Sequence, residues 1–327
     1  MSENEEHEIN GLEGVQKKTI KALIDAGFTT FLSLAVTPID DVAILTGLSE
    51  ELSEKVTGFA IRQISKFRTA EEYNEERKLH IEKMTTGSTE FDKILNGGFE
   101  TGAITELVGD YSSGKTQLCY TATVLVQQPK EDGGLEGSAV VIDTEGTYMP
   151  ERVEEIARMR GLDVQKTMRN IHYIKAYNTR QLVEIVRGLA DIVGETKARL
   201  IVVDSLAAHF RTEYAGRQDL APRQQRLGGI LGNLLRVAEA FNTVVLVTNQ
   251  MQGNPSGYGG DKMALGHVMA HAATHRIKLK KGRLGTRIAK TEDSPNLPVA
   301  EAVFLISEYG VTDVKPKRGK EDDAEDN

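Results

Sequence analysis

One octapeptide, with what flanks it, limits the fold of this chain more than any other feature: Gly109-Asp110-Tyr111-Ser112-Ser113-Gly114-Lys115-Thr116. It fits G-x-x-x-x-G-K-[ST], with the strand-like run Ile104–Val108 before it and the helical run Thr116–Gln127 behind it. Small residues let backbone N–H groups converge on phosphates, and the helix N-terminus adds positive potential. Lys115 is then expected to reach the β and γ phosphates and the Thr116 hydroxyl to ligate Mg²⁺. A chance match on an ordinary strand–turn–helix is the bland alternative. Further strand-like, β-branched runs at Ala139–Ile142, Leu200–Val203 and Val244–Val247 alternate with helical segments. Such runs suit strands buried on both faces, so the pattern predicts a parallel α/β sheet. Thr274–Lys280, Gly285–Thr291 and Ala300–Ile306 alternate in polarity and predict added antiparallel strands.

Three of the runs end in polar residues. Leu200-Ile201-Val202-Val203-Asp204 ends in an acid that would orient Mg²⁺ or its water, or would merely cap a helix. Val141-Ile142-Asp143-Thr144-Glu145 offers Glu145 as a general base for the attacking water, or as a capping carboxylate. Val247-Thr248-Asn249-Gln250 offers Gln250 as a partner of the γ-phosphate or its water. Open α/β sheets bind ligands at the carboxyl ends of their strands, so these ends are expected to converge on one crevice. That convergence weighs more than any one residue.

The chain has 327 residues, 40 basic and 48 acidic side chains, and a net charge of −8. The excess sits at the ends: Glu3, Glu5, Glu6 and Glu8 at one, Glu321, Asp322, Asp323, Glu325 and Asp326 at the other. Without those nine acids, residues 11–320 hold 39 acids against 40 bases, so a low pI does not argue against a nucleic-acid partner. No apolar run approaches the ~18 residues of a membrane span, and no secretory signal is present. A single cysteine, Cys119, excludes an intrachain disulfide and a Cys-built zinc site. A cytoplasmic protein is the expectation.

Residues 1–10 and 316–327 read as charged, disordered tails. Residues 11–65 read as a small all-α domain, with helices around Ile20–Ile24, after Thr30, and across Leu52–Phe59. Its weak internal echo is Leu12-Glu13-Gly14-Val15 against Leu45-Thr46-Gly47-Leu48. The highly charged stretch 66–80 reads as a linker and 81–315 as the α/β core. Two loops follow polar strand ends. Arg211–Arg226 carries Arg211, Arg217, Arg223 and Arg226, and the Gly-rich Met251–Gly266 carries Tyr258 and Lys262. Residues 262–291 hold eight bases and no acid, which suits a phosphate-rich partner or a Lys-blocked sheet edge. Tyr258 is the sole aromatic in its loop, a thin basis for base stacking.

At these residues the chain resembles the archaeal RadA recombinases, homologues of bacterial RecA and of the eukaryotic strand-exchange proteins. The resemblance spans about residues 64–314, and more weakly 11–63. It rests on Phe67-Arg68-Thr69-Ala70, the phosphate loop through Gln117, Asp143-Thr144-Glu145-Gly146-Thr147, Asp204-Ser205, His209-Phe210-Arg211, Thr248-Asn249-Gln250, Ala270-His271 and Asp293-Ser294-Pro295. It implies a RecA-like P-loop ATPase core with a central, mostly parallel sheet, preceded by a small all-α helix-hairpin-helix domain. It implies that Phe67 and Ala70 form an F-x-x-A plug for a neighbouring core, and that Glu145 is the catalytic glutamate. Gln250 and His271 would sense the γ-phosphate, Arg160 would stack on adenine, and Asp293–Pro298 would cap a neighbour's ATP. The loops around Arg217–Arg223 and Met251–Leu265 would bind DNA. The chain departs from the family at Gly14-Val15-Gln16, where Gly-Val-Gly is usual, and at Met263-Ala264-Leu265-Gly266, where Pro-Ile-Gly-Gly is usual.

The expected function is DNA repair and homologous recombination. With ATP and Mg²⁺ the chain would assemble on single-stranded DNA and pair it with double-stranded DNA, as a self-associated filament or ring. The resemblance also admits recombination mediators as partners. A RecA-fold ring helicase and a non-catalytic recombinase-regulating paralogue are the alternatives. Phe67-Arg68-Thr69-Ala70 argues against the first, and the intact Lys115, Thr116, Glu145 and Asp204 against the second.

Overall fold

The computed structural model describes residues 8–65, 67–214, 216–252 and 262–314, without the side chains of Arg217, Gln252, Lys262, Met263 and His267. A 3-10 turn, Glu8–Gly11, opens the N-terminal region, followed by α1 (Lys17–Asp25), α2 (Phe31–Val36), α3 (Ile39–Thr46) and α4 (Glu50–Ile64). Thr30 caps α2 by accepting from the Ser33 N–H at 3.0 Å, and Ser49 caps α4 through Leu52 N–H at 3.3 Å. The two halves of the sequence echo share backbone geometry, because Gly14 (φ 69°) and Gly47 (φ 67°) are both left-handed ahead of a helix. The expected tail 1–10 is too long. Ile9 is fully buried among Leu23, Phe28, Leu34, Val42 and Val56, so apolar packing begins before residue 11. Helix α3 is not foreseen by the sequence pattern, since Val42 is its only fully buried residue and the apolar signal is short.

The charged stretch read as a linker contains a helix, α5 (Ala70–His80), none of whose residues is buried. A capping box between Thr69 and Glu72 starts it, and Arg77 reaches the buried Glu100 carboxylate at 2.5 Å. Local capping and the ion pairs Arg77–Glu100, Arg68–Glu76 and Lys78–Glu75 therefore order a segment that lacks an apolar face.

A two-stranded ribbon, β1 (Lys83–Met84) with β2 (Phe99–Glu100), encloses α6 (Thr89–Ile94). The remaining strands are β3 (Ala103–Gly109), β4 (Ser138–Asp143), β5 (Ile171–Lys175), β6 (Ala198–Asp204), β7 (Val244–Gln252), β8 (Lys262–Met263), β9 (His275–Lys281), β10 (Arg287–Asp293), β11 (Glu301–Ser307) and β12 (Gly310–Asp313). Their order is β12-β11-β10-β9-β3-β7-β6-β4-β5, with β8 paired to the end of β7. From β9 to β5 every pairing is parallel, and β10, β11 and β12 extend the sheet antiparallel. The run at 274–280, expected among the antiparallel strands, thus joins the parallel set beside β3.

Helices α7 (Lys115–Leu125), α8 (Pro150–Met159), α9 (Val164–Arg169), α10 (Thr179–Arg187), α11 (Leu189–Thr196), α12 (Ala207–Glu213), α13 (Leu220–Ala240) and α14 (Gly266–Ala272) complete the core. Alternate residues of each central strand feed opposite cores. Val140, Ile142, Ile201, Val203, Val245 and Val247 face α10, α11 and α13, whereas Val141, Leu200, Val202 and Leu246 face Leu118 of α7 and Phe91 of α6. Two-faced burial is why these strands read as continuous apolar runs. The N-terminal helices pack back on this body, and a small crevice lined by Pro38, Asp41, Leu45, Ala190 and Phe241 marks the seam. Among the described residues no helix is long and apolar enough to cross a membrane.

Candidate functional site

The parallel register gathers the polar strand ends. Gly109 pairs with Gln250 on one side and Leu279 on the other, Val203 with Val247, and Asp143 with Asp204. The loop Asp110–Ser113 leaves β3 and enters α7 through Gly114, whose φ is 107°. A Cβ at Gly109 would stand 2.3 Å from the Leu279 carbonyl, so only glycine fits that position. Ser112 is also left-handed (φ 60°), and Tyr111 is 90% exposed.

The Lys115 ammonium lies over the loop, donating to the carbonyls of Gly109 at 2.8 Å and Asp110 at 3.0 Å. Burial pulls it below the ordinary lysine value, opposed by Asp204, Glu145 and Asp110. The Thr116 hydroxyl donates to Asp204 Oδ2 at 2.8 Å, and Thr248 donates to Asp204 Oδ1 at 2.5 Å. Burial pushes the Asp204 carboxyl up, while those hydroxyls pull it down. The adjacent Cys119 is fully enclosed and burial holds its thiol well above its ordinary value, so it is packing material.

Glu145 sits on a turn organised by Asp143, which accepts from the N–H groups of Glu145 (2.9 Å), Gly146 (2.7 Å) and Tyr148 (3.2 Å). Asp143 is thus the capping acid, and Glu145 is left to face the crevice. Glu145 Oε1 accepts from Ser205 Oγ at 2.7 Å and from Gln250 Nε2 at 2.8 Å. The carbonyl of that same Gln250 amide accepts from Arg211 on α12. Lys115, Thr116, Asp204, Glu145 and Gln250 therefore share one contiguous site.

Beneath Gln250 lies a buried polar knot that the sequence pattern does not reveal. Asn249 donates to Glu106 Oε1 at 2.6 Å and to the Ala264 carbonyl at 2.7 Å, and accepts from Gln250 N–H at 2.8 Å. Arg276 pairs with the other oxygen of Glu106 at 2.5 Å. By sequence Arg276 belongs to the basic stretch 262–291, but its side chain is 11% exposed and serves this ion pair. The signal that could have found it is the lone acid in the Ile104–Val108 run.

Arg160 is the C-cap of α8, and its guanidinium donates to the carbonyls of Tyr309 (2.7 Å) and Val311 (2.8 Å), tying α8 to β12. The arginine beside the loop helix is Arg152, whose Nε donates to Gln117 Oε1 at 2.9 Å and whose Nη2 donates to the Ser307 carbonyl. His271 lies in the last turn of α14. Asp293 ends β10 opposite Arg276, at the far end of the parallel strands from the phosphate loop, and Pro298 is exposed just beyond.

The arginine loop is largely helical. Arg211 is on α12, Arg217 opens the 3-10 turn Arg217–Asp219, and Arg223 and Arg226 ride the first turns of α13. Arg226 donates to the Tyr214 hydroxyl and stacks 5.6 Å from that ring, so its charge is engaged within the subunit. Tyr258 lies outside the described residues, and of Lys262 only the backbone pairing with Gln252 is described. Phe67 is wholly exposed just before α5, and Ala70 is the first residue of that helix.

Comparison with known proteins adds one family. A model described as Rad51 matches residues 77–314. A protein of Ignicoccus hospitalis named DNA repair and recombination protein RadA is 46% identical over 311 residues, covering 92% of this chain and 94% of the relative. One of the same name from Aeropyrum pernix is 42% identical over 309 residues, covering 94% and 97%.

Proposed function

This chain belongs to the Rad51 family, and on that premise we propose that it is a DNA-dependent ATPase of DNA repair and homologous recombination. It assembles on single-stranded DNA as an ATP-dependent filament and carries out homologous pairing and strand exchange. The observation that carries this reading is the hydrogen-bonded path from Glu145 through Gln250 to Arg211, which joins the hydrolytic end of the sheet to its arginine-bearing helix.

The loop Gly109–Gly114 cradles the phosphates with its N–H groups, aided by Gln117 and by the Lys115 ammonium. Thr116 and Asp204 would hold Mg²⁺. Their paired oxygens, 2.8 Å apart, are the hard ligands Mg²⁺ takes, with water and phosphate filling its other positions. When bound, the ion supplies charge neutralisation at the transferring phosphoryl group. Glu145 orients and deprotonates the attacking water, and Gln250 and His271 register the γ-phosphate. Phosphoryl transfer depends mainly on such positioning and charge.

Arg211, Arg217, Arg223, Tyr258 and Lys262 form the DNA-facing set. Phe67 and Ala70 plug a neighbouring copy. Asp293–Pro298 stands at the wrong end of its own sheet to reach its own loop, which supports a role over a neighbour's nucleotide. We place domain boundaries at 11–65, 66–80 and 81–315, moving the first back to include Ile9. Loader proteins and a cytoplasmic, DNA-associated setting complete the reading. Lys115→Ala should abolish ATP turnover and strand exchange between single-stranded circles and homologous duplex while its thermal melt matches wild type. Wild-type turnover in that variant would refute the phosphate-site assignment.

A further inference from the structure

Arg211 does something at this site besides meeting DNA. The Gln250 carboxamide is engaged at both ends. Its carbonyl accepts from the Arg211 guanidinium, and its amide nitrogen donates to Glu145 Oε1 at 2.8 Å. Ser205 holds the same carboxylate oxygen at 2.7 Å, so Glu145 is fixed against the Asp204–Ser205 corner. The Gln250 backbone is also fixed, because Asn249 Oδ1 takes its N–H at 2.8 Å and its carbonyl takes the Ala264 N–H at 2.9 Å. Only the side chain is free to turn, and Arg211 is what restrains the carbonyl end. Arg211 itself is exposed and reaches Gln250 from α12, so an outside anion can compete for it. A guanidinium bonds a phosphate oxygen more strongly than a neutral amide carbonyl, since both partners are then charged.

We propose that Arg211 is a positioning residue that brakes hydrolysis. It holds the Gln250 carboxamide turned toward Glu145, and a DNA backbone phosphate releases the brake by taking the guanidinium. This rests on the ATPase reading above and names the regulation of that same site. DNA then stimulates turnover partly by removing a restraint, not solely by adding contacts.

The test is steady-state ATP turnover of the full chain, with and without a poly(dT) oligonucleotide, for wild type, Arg211→Met, Gln250→Leu and the double variant. Arg211→Met should raise kcat without DNA by about tenfold, the scale of one charged hydrogen bond, and leave KM for ATP within about twofold. Its ratio of DNA-stimulated to DNA-free turnover should shrink to match. In the Gln250→Leu background Arg211→Met should change nothing further, because the arginine acts through that side chain. Arg211→Lys, which keeps one donor and the charge, should fall between and serves if the Met variant misfolds. An unchanged DNA-free kcat would show that Arg211 only binds DNA, and a lowered one would show that it assists the reaction. Either result overturns the brake. A wild-type chain with no DNA-stimulated turnover would instead overturn the ATPase reading, and the brake with it.

Discussion

Arg152 and Arg160 share helix α8 and its C-cap, yet one set of hydrogen bonds serves the loop helix and the other serves β12. The pattern of charged side chains along a helix does not say which arginine turns toward which neighbour, so the resemblance alone led to Arg160. The hydrogen bonds separate them. Arg160→Ala should cost about 2 kcal/mol of stability, since it breaks charged bonds to two carbonyls, and should leave nucleotide affinity near wild type. Arg152→Ala should weaken binding of a fluorescent ATP analogue by roughly tenfold, because Gln117 would no longer be held by the guanidinium. The reverse pattern in melts and titrations would support a nucleotide role for Arg160 instead. Glu145 illustrates the opposite case. Base and cap are even on the sequence, and in the structure Asp143 rather than Glu145 accepts the N–H groups of the turn, which leaves the Glu145 carboxylate available for another role.

At the scale of elements, what is legible in the sequence is what is buried on two faces. Strands β3, β4, β6 and β7 announce themselves because both sets of side chains are apolar, and their polar ends follow from the same runs. Elements held by capping or by ion pairs are not legible. Helix α5 buries nothing. In α13 the buried series Leu227, Ile230, Leu231, Leu234 begins only at its third turn, so Leu220–Arg226 reads as loop. The parallel placement of β9 depends on which strand it meets, which its own alternation cannot encode. Helical placement sharpens the expectation for the arginines. Arg223 lies near the α13 N-terminus, where the helix dipole adds to its positive charge, and Arg217 opens the preceding turn. The Arg217→Ala, Arg223→Ala double variant should bind single-stranded DNA more weakly, with a salt slope lower by roughly 0.7 for each phosphate it no longer neutralises. Basal nucleotide binding should persist because Lys115 and Thr116 are untouched. An unchanged slope across a salt series would move the DNA path to the basic stretch at β9 and β10.

At the scale of the whole molecule, two features suit contact with a second copy. Phe67 is wholly exposed on a segment with no local core, a suitable position for an interface anchor. Asp293–Pro298 projects from the end of the sheet opposite to its own phosphate loop. Phe67→Glu should therefore weaken self-association by roughly 30-fold or more and yield monomers or short oligomers in light scattering. Assemblies of wild-type size would make Phe67 an ordinary linker residue. In the N-terminal unit, Gln16 stands as the N-cap of α1 beside the left-handed Gly14, whose carbonyl accepts from Lys55 at 3.3 Å. Gln16 stands where the resemblance would put a second glycine, the residue that lets backbone approach a phosphate.

Electron microscopy of the purified chain on circular single-stranded DNA, with and without a non-hydrolysable ATP analogue, tests nucleotide-gated assembly directly. Continuous helical filaments should coat the DNA only when the analogue is present, and Lys115→Ala should form none. Filaments that form equally well without nucleotide, or closed rings that leave the DNA bare in both conditions, would contradict an ATP-dependent recombinase filament.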